Sequence, residues 1–470
     1  MLSNALGVSK GYGATDGELT HPGIVHFQEE DLHEVRRTWA EQVRETVHYL
    51  WPVKALLLLL VPLVVLLSTH RERPLAELAA PPAFGVFLLC LVGLVPCATL
   101  AVEFAEDLVV RKDNAALGTV VNVIVEHLAL IAFAVTALFM TNEARAFCVV
   151  KTVSIGCILL HLLAGLGGAI FFAPVTEENS FGATSLSAFN SGMLYCTAVF
   201  MFPTLYDYII VTPEVQRAAL LGKSNARAEA GLTAVSRGLS LCALCAYMAY
   251  LVSVFRTNVN YYTVGGNPNA PSSLPYAILY RERSRARPGP RALALGSRYS
   301  LLFAATGLVV FVLLQVGLCV GVALTLPVVA QAEVVSLPFL LVALLPLFFE
   351  FGSVGASWLM AREGRLDIAA SVAFSCVTHV YMCVIPALVL FAWAIGRSLD
   401  LSFHPFLIFV CLLSVLVVTD FVMMNRIRWL QGAMLLSLYL LLVFTCLLGG
   451  WHLCFAASSD GTPCRGDHPC

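Results

Sequence analysis

The chain has 470 residues, of which 59% are hydrophobic and only 12% charged, whereas an ordinary soluble domain is about a quarter charged. With a mean hydropathy of +0.83, this excludes a soluble enzyme, a disordered protein and a nucleic-acid binder, and puts most of the surface in lipid. The net charge of −2 says nothing about partners, so any basic patch must be local.

Residues 1–52 form a polar segment, expected to be cytosolic. No signal peptide is expected there, because the charges are mixed and no apolar run stands out. Between Glu29 and Trp51 the spacing is helical, with Leu32, Val35, Trp39, Val43, Val47 and Leu50 on one face. Such a helix can lie along a membrane surface or lead, solvated, into the first span.

Eleven apolar stretches follow, near 53–69, 84–110, 117–140, 147–173, 187–211, 232–255, 299–325, 335–361, 367–396, 403–424 and 430–456. Each is about the 20 residues that a spanning helix needs. The long hydrophilic break at 256–298 ends in Arg281, Arg283, Arg285, Arg287, Arg291 and Arg298. It divides the chain into a first helix (53–69), five helices in 84–255, an Arg-rich loop, five helices in 299–456, and a polar tail (457–470). The expected fold is therefore an all-α polytopic membrane protein of about 11 transmembrane helices, arranged 1 + 5 + 5.

Placing the N-terminus in the cytosol puts 18 Lys/Arg on that side and 8 on the other, with Lys151 and Arg237 inside spans. The positive-inside rule favours that orientation and a lumenal C-terminus. Five helices per half is an odd number, so the second half enters the membrane inverted, which is the plan of many secondary transporters. The 15 cysteines are mostly scattered through apolar stretches as small hydrophobes. Cys242-x-x-Cys245 reads as packing within a helix, and Cys464 and Cys470 could pair in a lumenal tail.

The chemistry is expected at two intramembrane acids, Glu126 in the third span and Glu350 in the eighth. A charged acid at mid-membrane costs about 2.5–3.5 kcal/mol on insertion scales, so such a residue normally faces a cavity or a partner. In each half the acid precedes a span with a small-residue pair and a histidine, Gly156-Cys157 with His161 and Ser375-Cys376 with His379. Two carboxylates sharing one cavity repel, and either two protons or one divalent cation relieves them. Two protons moving down one pH unit supply about 2.7 kcal/mol.

These residues resemble the calcium/proton exchanger (CAX) family of the cation/Ca2+ exchanger superfamily. Val102-Glu103-Phe104-Ala105-Glu106-Asp107-Leu108, then Leu117-Gly118 and Glu126, looks like the first repeat motif. Val150-Lys151 through Gly156-Cys157 to Leu166-Gly167 looks like its next helix, and Ser236-Arg237-Gly238 opens the sixth span as in the family. Glu350, Asp367 and Val384-Ile385-Pro386 follow the second repeat, while Asn425, Trp429-Leu430, Gly432 and Met434-Leu435-Leu436 resemble the last helix. The resemblance covers about 85–456.

It implies a proton-coupled cation antiporter working by alternating access, with Glu126 and Glu350 as cation ligands. His379, Thr378, Cys376, His161 and Asn122 complete or tune the site, and Glu103, Glu106 and Asp107 line a cytosolic entrance. No cofactor is implied. The partners are the bilayer, the cation and protons, with no nucleic acid, and the expected location is a vacuole-like acidic compartment. The family's Gly-Asn pair before each acid is replaced by Asn122-Val123 and Pro346-Leu347, and His161 and His379 stand where the family has Asn and Gln. Ca2+ wants many oxygen ligands, whereas two Glu with one or two His suit Mn2+, Zn2+ or Fe2+ better. A monovalent cation, a degenerate non-transporting scaffold or sensor and, more weakly, an intramembrane hydrolase are the alternatives.

Overall fold

The computed structural model describes residues 39–48, 55–69, 79–112, 121, 123–140, 143–174, 183–214, 226–253, 299–332, 334–362, 364, 366–424 and 428–449. Asn122, Asn425, the Arg-rich loop 256–298 and the tail 457–470 lie outside them. Every regular element among the described residues is helical.

The short α1 (Trp39–His48) precedes α2 (Leu60–Thr69), which is led in by a 3-10 turn at Ala55–Leu59. Then come α3 (Ala80–Lys112) and α4 (Leu128–Leu138). α5 runs Glu143–Leu159, widens into a π turn at Leu160–Gly165 and continues as Leu166–Phe172. α6 (Ala183–Tyr206, with a π turn at Asp207–Val211) and α7 (Ala226–Val252) complete the first half. The second half begins with α8 (Leu301–Gln331), capped by Ser300, whose Oγ accepts from Phe303 N–H at 3.4 Å. α9 comprises Leu337–Phe339, a π turn at Leu340–Leu344 and Leu345–Phe349, and α10 is Phe351–Arg362. α11 is Leu366–His379 with a π turn at Val380–Val384 and Ile385–Ala394. α12 (Pro405–Met424) and α13 (Trp429–Leu448) close the chain.

Seven helices are long and apolar enough to cross a membrane, and the pair α9–α10, bent by 64°, makes an eighth. Three shorter apolar helices, Ala55–Ser68, Leu128–Leu138 and Pro405–Phe421, stand where three further spans were expected. Among the described residues, length and composition by themselves mark seven or eight of the spans.

Two π turns have a chemical cause. Proline lacks the N–H that would bond the carbonyl four residues back. Pro346 and Pro386 each follow a π turn by two residues, where the backbone widens to accommodate the missing bond. α11 ends on Gly396, at φ 77°, a conformation that favours glycine.

α5, α3 and α11 are the innermost long helices, with 89%, 78% and 72% of their most apolar windows buried, whereas α7 and α13 have 22% buried and offer apolar faces to lipid. Cys242 and Cys245 are exposed on α7, as befits a lipid-facing pair. α3 and α8 pack antiparallel, because Gly307 lies against Phe104, Gly93 against Leu318 and Gly321 against Cys90. A close backbone contact places Gly156 of α5 on α9: a Cβ there would lie 2.6 Å from Pro346 Cγ and 2.7 Å from the Val342 carbonyl oxygen.

The halves are also joined outside the buried centre. Lys151 Nζ donates to Asp400 Oδ1 at 3.0 Å, and Ser236 Oγ accepts from Leu401 N–H at 2.9 Å. Helix α1 docks on the start of α8, where Trp39 meets Phe303 at 5.2 Å between ring centroids and Gln42 Oε1 accepts from Ser300 N–H at 2.8 Å. Cys148 differs from Cys157, the other cysteine of α5, because it is disulfide-bonded rather than a packed thiol.

Candidate cation site

The two acids sit at helix breaks. Glu350 terminates α9 with φ −108° and ψ 15°, and α10 leaves at an angle of 64°. Glu126 immediately precedes His127, the N-cap of α4, which has φ −96° and ψ 13°. A break frees backbone polar groups, which is tolerated in a membrane only where protein or a polar cavity encloses them. Both acids are enclosed, with Glu126 8% and Glu350 1% exposed.

Three histidines gather around them. His127 Nδ1 lies 3.0 Å from Glu350 Oε1, and His161 Nε2 lies 3.3 Å from Glu350 Oε2. A carboxylate only accepts, so each of these nitrogens carries the proton. Ser353, one turn on in α10, donates its Oγ–H to the Glu350 carbonyl at 2.9 Å and lies 3.5 Å from Oε2. Both oxygens of Glu350 are therefore engaged by protein.

Glu126 meets the other side of the cluster. Cys376 Sγ is 4.0 Å from Glu126 Oε2. One donor atom each from Glu126, His127 and His379 lie within 4.8 Å of one another, a grouping that could hold a metal ion. The His379 ring stands edge-on to His127 at 6.1 Å and to Tyr247 at 6.0 Å. The π turn of α5 carries His161, and that of α11 starts directly after His379, so both widened segments face the acids. π turns often mark functional sites.

The expected residues divide accordingly. Glu126, Glu350, His161, Cys376 and His379 come together. Thr378 is buried but spends its hydroxyl on the Phe374 carbonyl of its own helix, at 2.9 Å. Asn122 lies outside the described residues. Glu103, Glu106 and Asp107 lie apart on α3, at most 8% exposed, with Asp107 Oδ1 accepting from Tyr299 N–H at 3.3 Å. The residues expected from the sequence included neither His127 nor Ser353. The signal for His127 was its adjacency to Glu126.

Comparison with known proteins fits this geometry. The sodium/calcium exchanger protein family matches residues 303–448, which include Glu350 and His379. The vacuolar calcium ion transporter of Schizosaccharomyces pombe is 24% identical over 369 residues, spanning 77% of this chain and 78% of that protein. The Ca2+/H+ antiporter of Synechocystis is 24% identical over 366 residues, spanning 75% and 88%. Among solved structures, native YfkE superimposes with a TM-score of 0.61 at 18% identity, covering 84% of this chain and 99% of that one. The H+/Ca2+ exchanger CAX gives 0.55 at 14%, covering 84% and 88%.

Over at least 75% of its length the chain is similar to a vacuolar calcium ion transporter and a Ca2+/H+ antiporter. Its relatives are cation exchangers and it is an integral membrane protein. Its site is rich in nitrogen, with His127, His161 and His379 gathered around the two acids.

Proposed function

We propose that the protein is a proton-coupled cation antiporter in which one site, built on a membrane-embedded Glu from each half, Glu126 and Glu350, takes a divalent cation and protons in turn. The observation that carries this reading is that His127, at the break behind Glu126, holds Glu350 across the buried centre. Two acids and three imidazoles with at most 8% exposure form an ionisable set that needs positive charge to be stable. A cation supplies it, and so do protons, so the two compete for one place. Alternating access then couples inward movement of one to outward movement of the other. The two halves, 84–255 and 299–456, act as inverted repeats of five helices each, with 53–69 as a regulatory-type helix.

The vacuolar names of the relatives support an acidic endomembrane compartment, whose proton gradient drives loading from the cytosol. The N-terminus is cytosolic and the C-terminus lumenal. The bonded state of Cys148, near the start of α5, supports this, because that end then faces an oxidising lumen.

The test is proton flux from acid-loaded vesicles containing the purified protein and a pH dye. Ca2+, Mn2+, Zn2+, Na+ and K+ are added in turn to wild type, Glu126→Gln and Glu350→Gln. Cation-triggered proton efflux that both substitutions abolish supports the antiporter. No efflux with any cation from folded protein overturns it.

A further inference from the structure

Resting on the antiporter reading, we infer that the cargo is a borderline transition-metal cation of the Zn2+ class, bound by Glu126, His127 and His379, and that Glu350 positions a ligand instead of being one.

The division follows from which atoms are occupied. Both Glu350 oxygens already accept from imidazoles, Oε1 from His127 and Oε2 from His161. With its Nδ1 proton given to Glu350, neutral His127 keeps a lone pair on Nε2. That nitrogen is buried and has no hydrogen-bond partner among the described residues, and the same holds for His379 Nδ1. His127 is 0% and His379 2% exposed. An unpartnered polar atom in such a place costs about 1–3 kcal/mol, so two of them beside one carboxylate call for a ligand.

A metal-bound histidine usually gives its other N–H to a carboxylate, which fixes the ring and raises its basicity. Glu350–His127 is that arrangement. Two imidazoles and a carboxylate are also a recurrent zinc ligand set that leaves a fourth position open. Ligand atoms on a tetrahedral Zn2+ stand about 3.3 Å apart at the usual bond lengths. The donor atoms here already lie within 4.8 Å of one another, so small side-chain rotations seat the ion. Cys376 Sγ, 4.0 Å from Glu126 Oε2, stands beside the open position. Ca2+ is poorly served, because it needs about 6–8 oxygen ligands and would have to strip both imidazoles from Glu350.

The test combines binding and flux on the purified full-length protein. Zn2+ and Ca2+ binding are measured by calorimetry, and Co2+ is added as a visible-absorption probe of nitrogen coordination. Wild type is expected to bind Zn2+ at least about 100-fold tighter than Ca2+. His379→Asn, which exchanges an imidazole for an amide oxygen, should lose most of the Zn2+ preference while Ca2+ binding holds or rises. Misfolding would lower both. Glu350→Gln should weaken Zn2+ about 10–100-fold yet keep the Co2+ spectrum, whereas Glu126→Gln should change the spectrum itself. Ca2+ binding as tight as Zn2+, or Zn2+ binding indifferent to His379→Asn, overturns the inference. The vesicle assay separates the two readings. Flux with Ca2+ but not Zn2+ sinks the metal assignment and leaves the antiporter. Zn2+ binding that depends on His379, with no flux from any cation, sinks the antiporter and leaves the site.

Discussion

His127 and Glu350 are 223 positions apart in the chain, and their side chains meet at 3.0 Å with neither exposed to solvent. Each comes from a helix break, and the pair ties the two halves of the molecule together at its polar centre. Removing one partner strands the other, because a buried group of this kind has no water to turn to. His127→Leu and Glu350→Gln should therefore each destabilise the protein. The double variant should cost less than the sum by about 1–3 kcal/mol, which a double-mutant cycle on thermal unfolding in detergent can measure. Strict additivity would mean that the pair contributes no coupling.

Gly156 should not tolerate a side chain. A Cβ there meets Pro346 Cγ at 2.6 Å and the Val342 carbonyl at 2.7 Å, and backbone does not step aside as a flexible side chain does. Gly156→Ala is expected to cost about 1–3 kcal/mol by overpacking and to disturb transport, because it shifts the helix that ends in Glu350. Gly317, an exposed glycine inside α8, has nothing within 4 Å of its Cβ direction. Gly317→Ala should instead gain about 0.5–1 kcal/mol from helix propensity. Comparing the two melting temperatures checks both.

Gln315 lies in α8 at 0% exposure, and neither atom of its amide has a partner among the described residues. The register of α3 against α8 sets it level with Pro96, the proline inside α3. An unsatisfied buried amide costs about 1–3 kcal/mol, so Gln315→Leu should raise the melting temperature. A lower melting temperature would show that the amide holds water or an ion in the native membrane.

Asp400 lies outside the spans, between α11 and α12, and pairs with Lys151 of α5 at 3.0 Å. Burial pushes the Asp400 carboxyl up, but the Lys151 ammonium and the hydroxyl and backbone N–H of Ser402 pull it down further, so it rests below the usual carboxylate value. A depressed acid contributes stability above its unfolded pKa of about 3.9 and loses it as pH falls through the folded value. At neutral pH the contribution is complete. Wild type should therefore lose stability below about pH 4 faster than Asp400→Asn does, in melting curves taken across that range.

Much of the fold was legible because lipid imposes a simple code. A backbone in hydrocarbon must satisfy its own hydrogen bonds, so a long apolar run is a helix and the runs can be read off one by one. The shorter elements at Ala55–Ser68, Leu128–Leu138 and Pro405–Phe421 show the limit of that code, since apolarity does not say how far a helix extends before it breaks. The acids were legible for the same reason: Glu126 and Glu350 are too costly in lipid to be idle.

By itself, then, the sequence determined that this is a polytopic helical protein and that two costly acids, Glu126 and Glu350, stand inside its apolar stretches. Only the tertiary structure decided which groups meet. Hydropathy and spacing are properties of one segment, whereas His127 reaching Glu350, His161 taking its second oxygen and His379 joining Glu126 depend on how four breaks and turns in separate helices are packed around one point. Thr378 makes the contrast plain: it is one residue from His379, yet its hydroxyl is bonded to its own helix. A single rotation of about 100° per residue along a helix separates a ligand from a packing residue, and the sequence alone could not say which face of α11 met the acids.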